Sequence, residues 1–397
     1  MNSKNNPSRG SSGPEFLSTP PLVMPIYQSA AYIQKDIDQV DRVYENHEPD
    51  GYTYGREGHP NAVHLAENLA QLETAEQAVI CGSGMAATAC TFSVLLKQND
   101  TVVASDQIYG RTAILLDEYL RRFGVTTHFV DITDLSAVET ALRCSPRILF
   151  FEMISNPLLR VANAPALIQM AHAQGSLAVV DNTFPTPVAF RPLEHGADLV
   201  VQSVTKMIAG HSDVTLGAVL GSQSWIDMMQ HGMATWGLSA SPFECWLAQR
   251  GLATLSLRME RSSGNAQQLA DYLDTFSQIK HVLYPGRKDH PDCDAARLLF
   301  DPCYGNMVSF ELAGGRQSVD HLIRNLDQIP LVPTLGHIET IISHPASTSH
   351  RSLSVKRRSE LGISDTLLRV SVGCEAIETL EQRFRSALQG QGKTGVR

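Results

Sequence analysis

Seven short apolar runs recur in the first two thirds of the chain, and their rhythm constrains the fold more than any other feature. They are AVIC, TVVAS, THFVD, ILFFEM, LAVVD, DLVVQ and LGAVLG. Between most of them lie helix-compatible segments such as TAILLDEYLRRFG and APALIQMAHAQG. Strands that are apolar almost throughout and alternate with helices predict an α/β fold, a mostly parallel sheet covered by helices on both faces. Ahead of the first run, NAVHLAENLAQLE spaces Val63, Ala66, Leu69 and Leu72 as the apolar stripe of a helix. Beyond about residue 245 the texture changes. A long helical stretch leads into GNMVSFEL and LLRVSVG, which alternate like half-buried strands, and into LEQRFRSAL, with Leu380, Phe384 and Leu388 at helical spacing. This predicts a smaller C-terminal α+β domain and the boundaries 1–55, 56–245 and 246–397, a division that a chain of 397 residues invites.

Composition closes off several classes of function. The net charge of −9 argues against a nucleic-acid binder that works by neutralising phosphates. The seven cysteines are scattered, without a C-x-x-C pair, so neither a disulfide framework nor a zinc site is expected and a reducing cytoplasm fits. No metal-ligand spacing emerges from DHPDCD, residues 289–294. No apolar run approaches the roughly 18 residues of a membrane span, and the polar start MNSKNNPSRGSSGPEF lacks a signal-peptide core and is expected to be disordered.

In parallel α/β sheets ligands bind at the carboxyl ends of the strands, so the polar residues that follow each run matter most. After AVIC comes Gly-Ser-Gly opening a helix, with Ser83, Gly84 and Met85 where free backbone N–H groups form an anion site. After LAVV comes Asp181, a carboxylate that needs a cation or donors if it is buried; Pro185 and Pro187 argue against an immediate helix for it to cap. After DLVVQ come Ser203, Thr205 and Lys206, and a buried lysine is a usable nucleophile toward carbonyls. Taken singly, these are a tight turn, a turn aspartate and a surface-seeking lysine. Taken together they supply what pyridoxal phosphate requires: phosphate donors, a carboxylate for its ring nitrogen and a lysine for a Schiff base. Tyr109, after VVASDQIYG, is placed to stack on such a ring.

The segments YTYGREGHPN, SGMAA, VVDNTFPTP, SVTKMIAGHSDVTLGAVLG and HPASTSH resemble the Cys/Met-metabolism pyridoxal phosphate enzymes, the group of cystathionine γ-synthase, cystathionine lyases and methionine γ-lyase. The resemblance implies fold type I, a seven-stranded sheet and a small C-terminal domain. It implies a pyridoxal 5'-phosphate Schiff base at Lys206, with Asp181 on the pyridine nitrogen. Ser83, Gly84, Met85, Ser203 and Thr205 are then expected on the phosphate, Asn156 on the cofactor and substrate, and Tyr109 on the ring as an acid or base. The arm 1–55 is expected to contact a neighbouring subunit, and Tyr54 and Arg56 to reach that subunit's cofactor phosphate, within a homotetramer built as a dimer of active dimers. Arg369 is expected to bind the substrate α-carboxylate, with Thr334 beside it. From spacing alone Arg369 reads as an exposed strand arginine.

The implied activity is γ-elimination or γ-replacement on a homoserine-derived or sulfur amino acid, breaking a carbon–sulfur or carbon–oxygen bond. Alternatives are a γ-lyase for an oxygen-linked amino acid such as canavanine, a cystathionine β-lyase and, from another class, an aminotransferase. Several positions depart from the subgroups. Thr53 and Pro333 stand where cystathionine-handling members carry acids, and Met233-Ala234 stands where methionine γ-lyases carry Lys-Asp. His59 and Asn61 replace the Asn and Thr of the family's N-P-T motif. Arg111, in place of that subgroup's cysteine, is a candidate contact for an anionic leaving group.

Overall fold

The computed structural model describes residue 19 and residues 21–45, 47–48, 51–351 and 353–390. The polar N-terminal stretch read as disordered lies outside the described residues. All seven apolar runs are strands of one sheet: β1 Gln77–Cys81, β2 Thr101–Ser105, β3 Thr126–Val130, β4 Ile148–Glu152, β5 Leu177–Asp181, β6 Leu199–Gln202 and β7 Gly217–Gly221. Their order is β1-β7-β6-β5-β4-β2-β3. The pairs β6–β5, β5–β4, β4–β2 and β2–β3 are parallel, while β7 runs antiparallel to both β1 and β6. The carboxyl ends of β1, β2, β4, β5 and β6 therefore open on one edge.

Strand periodicity builds two cores from this sheet. On β4, Leu149 and Phe151 join one apolar cluster, while Ile148 and Phe150 join the cluster on the opposite face. Phe150 meets Phe92 edge-on at 5.2 Å between ring centres. Burying each such ring contributes about 1.5–3 kcal/mol. The edge strand β3 is half exposed, as its polar alternation requires.

Two details differ from the sequence reading. Helix Pro60–Glu73 buries Leu65, Ala66, Leu69 and Ala70 and leaves Val63 39 % exposed, so its core face is rotated from the stripe that contained Val63. Leu65, outside the expected stripe, is fully buried, and with Asn61, Leu69 and Glu73 it forms a buried line at four-residue spacing. A short helix, Thr186–Ala189, does follow Asp181. Pro187 occupies its first turn, where a missing N–H costs nothing.

The C-terminal segment adds a second, antiparallel sheet in the order β10-β11-β9-β8. Its strands are β8 Ile279–Leu283, β9 Met307–Leu312, β10 Ile341–Ser343 and β11 Leu367–Ser371. Neither LLRVS nor MVSFEL is the half-exposed strand that alternation suggests: β11 is buried at every position and β9 at all but one. One face of β11 packs Leu368 and Val370 into a separate core with Phe310 and Phe384. Its other face, which carries Arg369, turns to the open edge of the first sheet. Among the described residues no helix is long and apolar enough to cross a membrane.

Gly336 lies between the Lys206 turn and the second sheet. Its φ is +83°, and a Cβ there would lie 2.6 Å from the Met207 nitrogen and 2.9 Å from the Lys206 Cα. Its N–H donates to Ser371 Oγ on β11 at 2.8 Å. Only glycine fits a left-handed conformation pressed against backbone. Gly336→Ala is expected to destabilise the protein by about 1–3 kcal/mol, measured by urea denaturation of the cofactor-free protein.

Candidate active site

A cavity of about 250 Å³ opens at the shared edge of the strands. Its floor is made by the ends of β4, β5 and β6, and its roof by the loop bearing Thr334 and by β11. The structure brings Ser83, Gly84, Met85, Tyr109, Asn156, Asp181, Ser203, Thr205, Lys206, Thr334 and Arg369 to its wall.

At one end, Ser83 caps helix Gly84–Leu95 by accepting the Ala86 N–H at 2.9 Å. The N–H groups of Gly84 and Met85 precede any acceptor within the helix and face outward from its positive end. A Cβ on Gly84 would meet Ser203 Oγ at 2.8 Å, so the helix start and the β6 end approach because residue 84 has no side chain. The Ser203 N–H donates to Thr183 Oγ1 at 2.9 Å, joining the turns after β5 and β6. Thr205 is anchored by its hydroxyl, which donates to the Leu216 carbonyl and accepts the Leu216 N–H, both at 3.0 Å. A helix terminus and a cluster of hydroxyls in this arrangement fit a phosphate.

Lys206 sits in a tight turn, its N–H on the Ser203 carbonyl. Its Nζ donates to Thr334 Oγ1 at 2.9 Å. Burial, and then the charge of Arg369, lower its pKa to about 8. Arg369 is buried on the roof, where its Nη1 donates to Asn156 Oδ1 at 2.6 Å and its Nη2 to the Thr334 carbonyl at 3.1 Å. Its buried Nε has no acceptor, and burial brings its pKa down to about 10. A desolvated guanidinium with a donor to spare suits a carboxylate. Thr334 thus stands between the two cations, offering its hydroxyl to one and its carbonyl to the other.

Asp181 lies partly buried beneath, accepting the Thr183 N–H at 2.9 Å. Burial raises its pKa, and the hydrogen bonds from Thr183 oppose that rise. It is therefore a turn aspartate and a cavity carboxylate at once. Tyr109 lines the cavity mouth, 40 % exposed, at the start of helix Gly110–Ile114. With an imine-forming lysine, a carboxylate beneath and an anion cradle at the far end, the cavity fits pyridoxal phosphate.

Three of the expected contacts lie off this cavity. Arg111 is exposed and absent from its wall, because one helical step carries it away while Thr112 turns inward. Tyr54 is 48 % exposed, and Arg56 lies over its ring at 5.6 Å, bonded to the Ala234 carbonyl at 2.7 Å and to Glu57. The replaced N-P-T motif acquires a physical account. His59 Nδ1 accepts the Ala62 N–H, taking over an asparagine's capping role, while its Nε2 meets the Ala240 carbonyl at 3.1 Å. Asn61 accepts the Tyr27 N–H and donates to the Pro25 carbonyl, both at 2.8 Å, and so pins the arm.

Two residues escaped the sequence reading. Glu152 closes β4 beside Asp181 and lines the cavity. The strand-end argument that singles out Asp181 applies equally to it, but ILFFEM reads as one apolar run. Arg258, inside helix Leu255–Leu273, donates to the carbonyls of Met207 at 2.5 Å and Ile208 at 2.9 Å, immediately after Lys206. A helical arginine carries no sequence signal of such a role.

Comparison with known proteins agrees with this chemistry. The family model for the Cys/Met metabolism PLP-dependent enzymes matches residues 11–389. The chain is 38% identical over 371 residues to an L-methionine gamma-lyase of Fusobacterium nucleatum subsp. polymorphum, covering 93% of both proteins. It is 36% identical over 376 residues to a cystathionine beta-lyase of Lactococcus lactis subsp. cremoris (strain MG1363), covering 94% of this chain and 95% of that one. Its fold matches the cystathionine gamma synthase of Xanthomonas oryzae pv. oryzae, solved with aminoacrylate and cysteine, with a TM-score of 0.88 at 35% identity and 93% coverage of both.

The lowered lysine pKa has a kinetic signature. Only the neutral amine attacks a carbonyl, so the rate at which added pyridoxal phosphate joins the cofactor-free protein should rise about tenfold per pH unit and level off near pH 8. Stopped-flow absorbance would follow it, and Lys206→Ala should leave no cofactor fixed by borohydride.

Proposed function

Since the chain belongs to the Cys/Met-metabolism PLP-dependent enzyme family, we propose that it breaks the bond between Cγ and a sulfur or oxygen substituent of a homoserine-derived or sulfur amino acid. The observation that carries this reading is the line Lys206–Thr334–Arg369, which sets an amine and a carboxylate receptor at opposite ends of one residue. An α-amino acid held at Arg369 by its carboxylate presents its amino group toward Lys206.

When bound, the cofactor supplies a carbonyl for imine formation and a ring that withdraws electrons from Cα. Lys206 Nζ, its pKa lowered to about 8 by burial so that a usable fraction is neutral, would remove the Cα proton and carry protons to the neighbouring carbon. Asp181 would hold its negative charge for the cofactor's ring nitrogen. Tyr109, at the mouth, places its hydroxyl to protonate the departing γ-substituent. Asn156 fixes the Arg369 fork, so the substrate carboxylate meets a preset geometry.

Beyond these groups the cavity wall is largely neutral, with Ile154, Phe184, Pro333 and Leu335 among its residues. In one subunit, Glu152 and Asp181 are its acids, and both lie on the floor rather than at the mouth. This favours an uncharged distal group, a thioether or a neutral ester, over the distal ammonium of cystathionine. Arg111, outside the wall, does not support selection of an anionic leaving group within the subunit. We further propose that Tyr54 and Arg56, exposed and away from their own cavity, serve the cofactor phosphate of a neighbouring copy in a dimer of dimers.

The test is turnover of methionine, homocysteine, cystathionine, canavanine and O-acyl-homoserines, each with and without a thiol. The expected products are a 2-oxo acid and ammonia, or a new thioether when thiol is present. A strict requirement for a 2-oxo acid co-substrate would replace the reading with an aminotransferase. Arg369→Lys, which keeps the charge and loses the fork, should lower kcat/KM by about a hundredfold, roughly 2.7 kcal/mol, with the cofactor still bound.

A further inference from the structure

Two carboxyl groups stand side by side on the floor of the cavity. Glu152 ends β4, Asp181 ends β5, and the two are direct partners in the parallel ladder. Glu152 is buried and Asp181 partly buried, and among the described residues neither has an ion-pair partner. The two cations on the cavity wall, Lys206 and Arg369, are directed elsewhere. Lys206 Nζ is engaged with Thr334, and Arg369 with Asn156 and Thr334. Two adjacent carboxylates cannot both remain ionised in such a place, so the pair keeps a proton.

The hydrogen bonds decide which group keeps it. Asp181 accepts from both the backbone and the side chain of Thr183. Donors of this kind stabilise a carboxylate. Glu152 accepts a single donor, the Tyr109 N–H, at 2.5 Å from its Oε1. That one bond favours the carboxylate less than the pair of donors at Asp181 does, and the carbonyl oxygen of a neutral acid can still accept it. Burial, reinforced by the charge of Asp181, drives Glu152 further toward its protonated form.

We propose that Glu152 is a positioning residue that works as a neutral acid, fixing the backbone of Tyr109 with its carbonyl oxygen and leaving the single negative charge of the pair on Asp181. The inference deepens the cofactor reading and rests on it for its purpose. A positive ring nitrogen would then find a single negative charge, and the aromatic residue at the mouth is held by a group that would not compete for that nitrogen.

The experiment is infrared spectroscopy of the cofactor-free and loaded protein near pH 7, comparing Glu152→Gln and Asp181→Asn with the parent. Glu73 is a second buried carboxyl, its pKa raised to about 8 chiefly by burial, so each comparison is made in a Glu73→Gln background. The C=O stretch of a protonated carboxyl is expected, lost in Glu152→Gln and kept in Asp181→Asn. A band that survives Glu152→Gln and vanishes in Asp181→Asn, or no band at all, overturns the proposal. The positioning role has its own readout. Glu152→Gln keeps the acceptor and should change the cofactor dissociation constant by less than about threefold, whereas Glu152→Leu strands a buried N–H and should raise it about tenfold or more. The same variant should shift the pH titration of the cofactor absorbance. Unchanged affinity and titration in Glu152→Leu would remove the positioning role, and should that variant fail to fold, the infrared comparison decides alone. A protein that takes up no cofactor fails the cofactor reading, while the infrared result on the cofactor-free protein still reports where the proton lies.

Discussion

Lys206 has to be removed from water for a usable fraction of it to be neutral near physiological pH, and that desolvation organises the rest of the site. Burial of an amine disfavours its charged form, and the charge of Arg369 pushes in the same direction. Two cationic groups sharing one dry cavity would repel each other unless something polar lay between them. Thr334 fills that place, accepting from the lysine with its hydroxyl and from the arginine with its carbonyl. Because Thr334 and Arg369 come from the C-terminal segment and Lys206 from the parallel sheet, reactivity depends on two hydrophobic cores being held in register. Gly336 sets how closely they meet.

The floor of the cavity answers the same constraint from the opposite sign. Parallel strands β4, β5 and β6 end together, which gathers Glu152, Asp181 and Ser203 within a few ångströms of backbone spacing. Charge there is held by backbone and hydroxyl donors rather than by salt bridges. A rigid arrangement of dipoles needs little reorganisation as charge moves during a reaction.

How much of this the sequence discloses depends on whether a residue is anomalous where it stands. The seven strands are legible because each apolar run is complete in itself, and Asp181 and Lys206 stand out because charge at the end of such a run is costly. Arg369 reads as an exposed strand residue, for its burial is imposed by a second sheet distant in the chain. Val63 is misplaced because the buried face of its helix runs through Leu65 and Leu69, a line that Val63 does not share. Pro185 and Pro187 appear to forbid a helix that in fact begins between them. Arg111 and Thr112 are adjacent in sequence, and only the rotation of one helical step separates the residue facing solvent from the one facing the cavity.

Arg258 carries a lesson about where information resides. Its fork is spent on the main-chain carbonyls of Met207, Ile208 and Gly251, groups that every residue possesses. The bond that steadies the turn after the reactive lysine is therefore indifferent to the identity of the side chains it grips. Drift at 207 and 208 is limited only by the apolar space their side chains fill, whereas drift at 258 releases both carbonyls at once. One position, fifty residues downstream, holds the specification for a turn whose own letters hardly encode it.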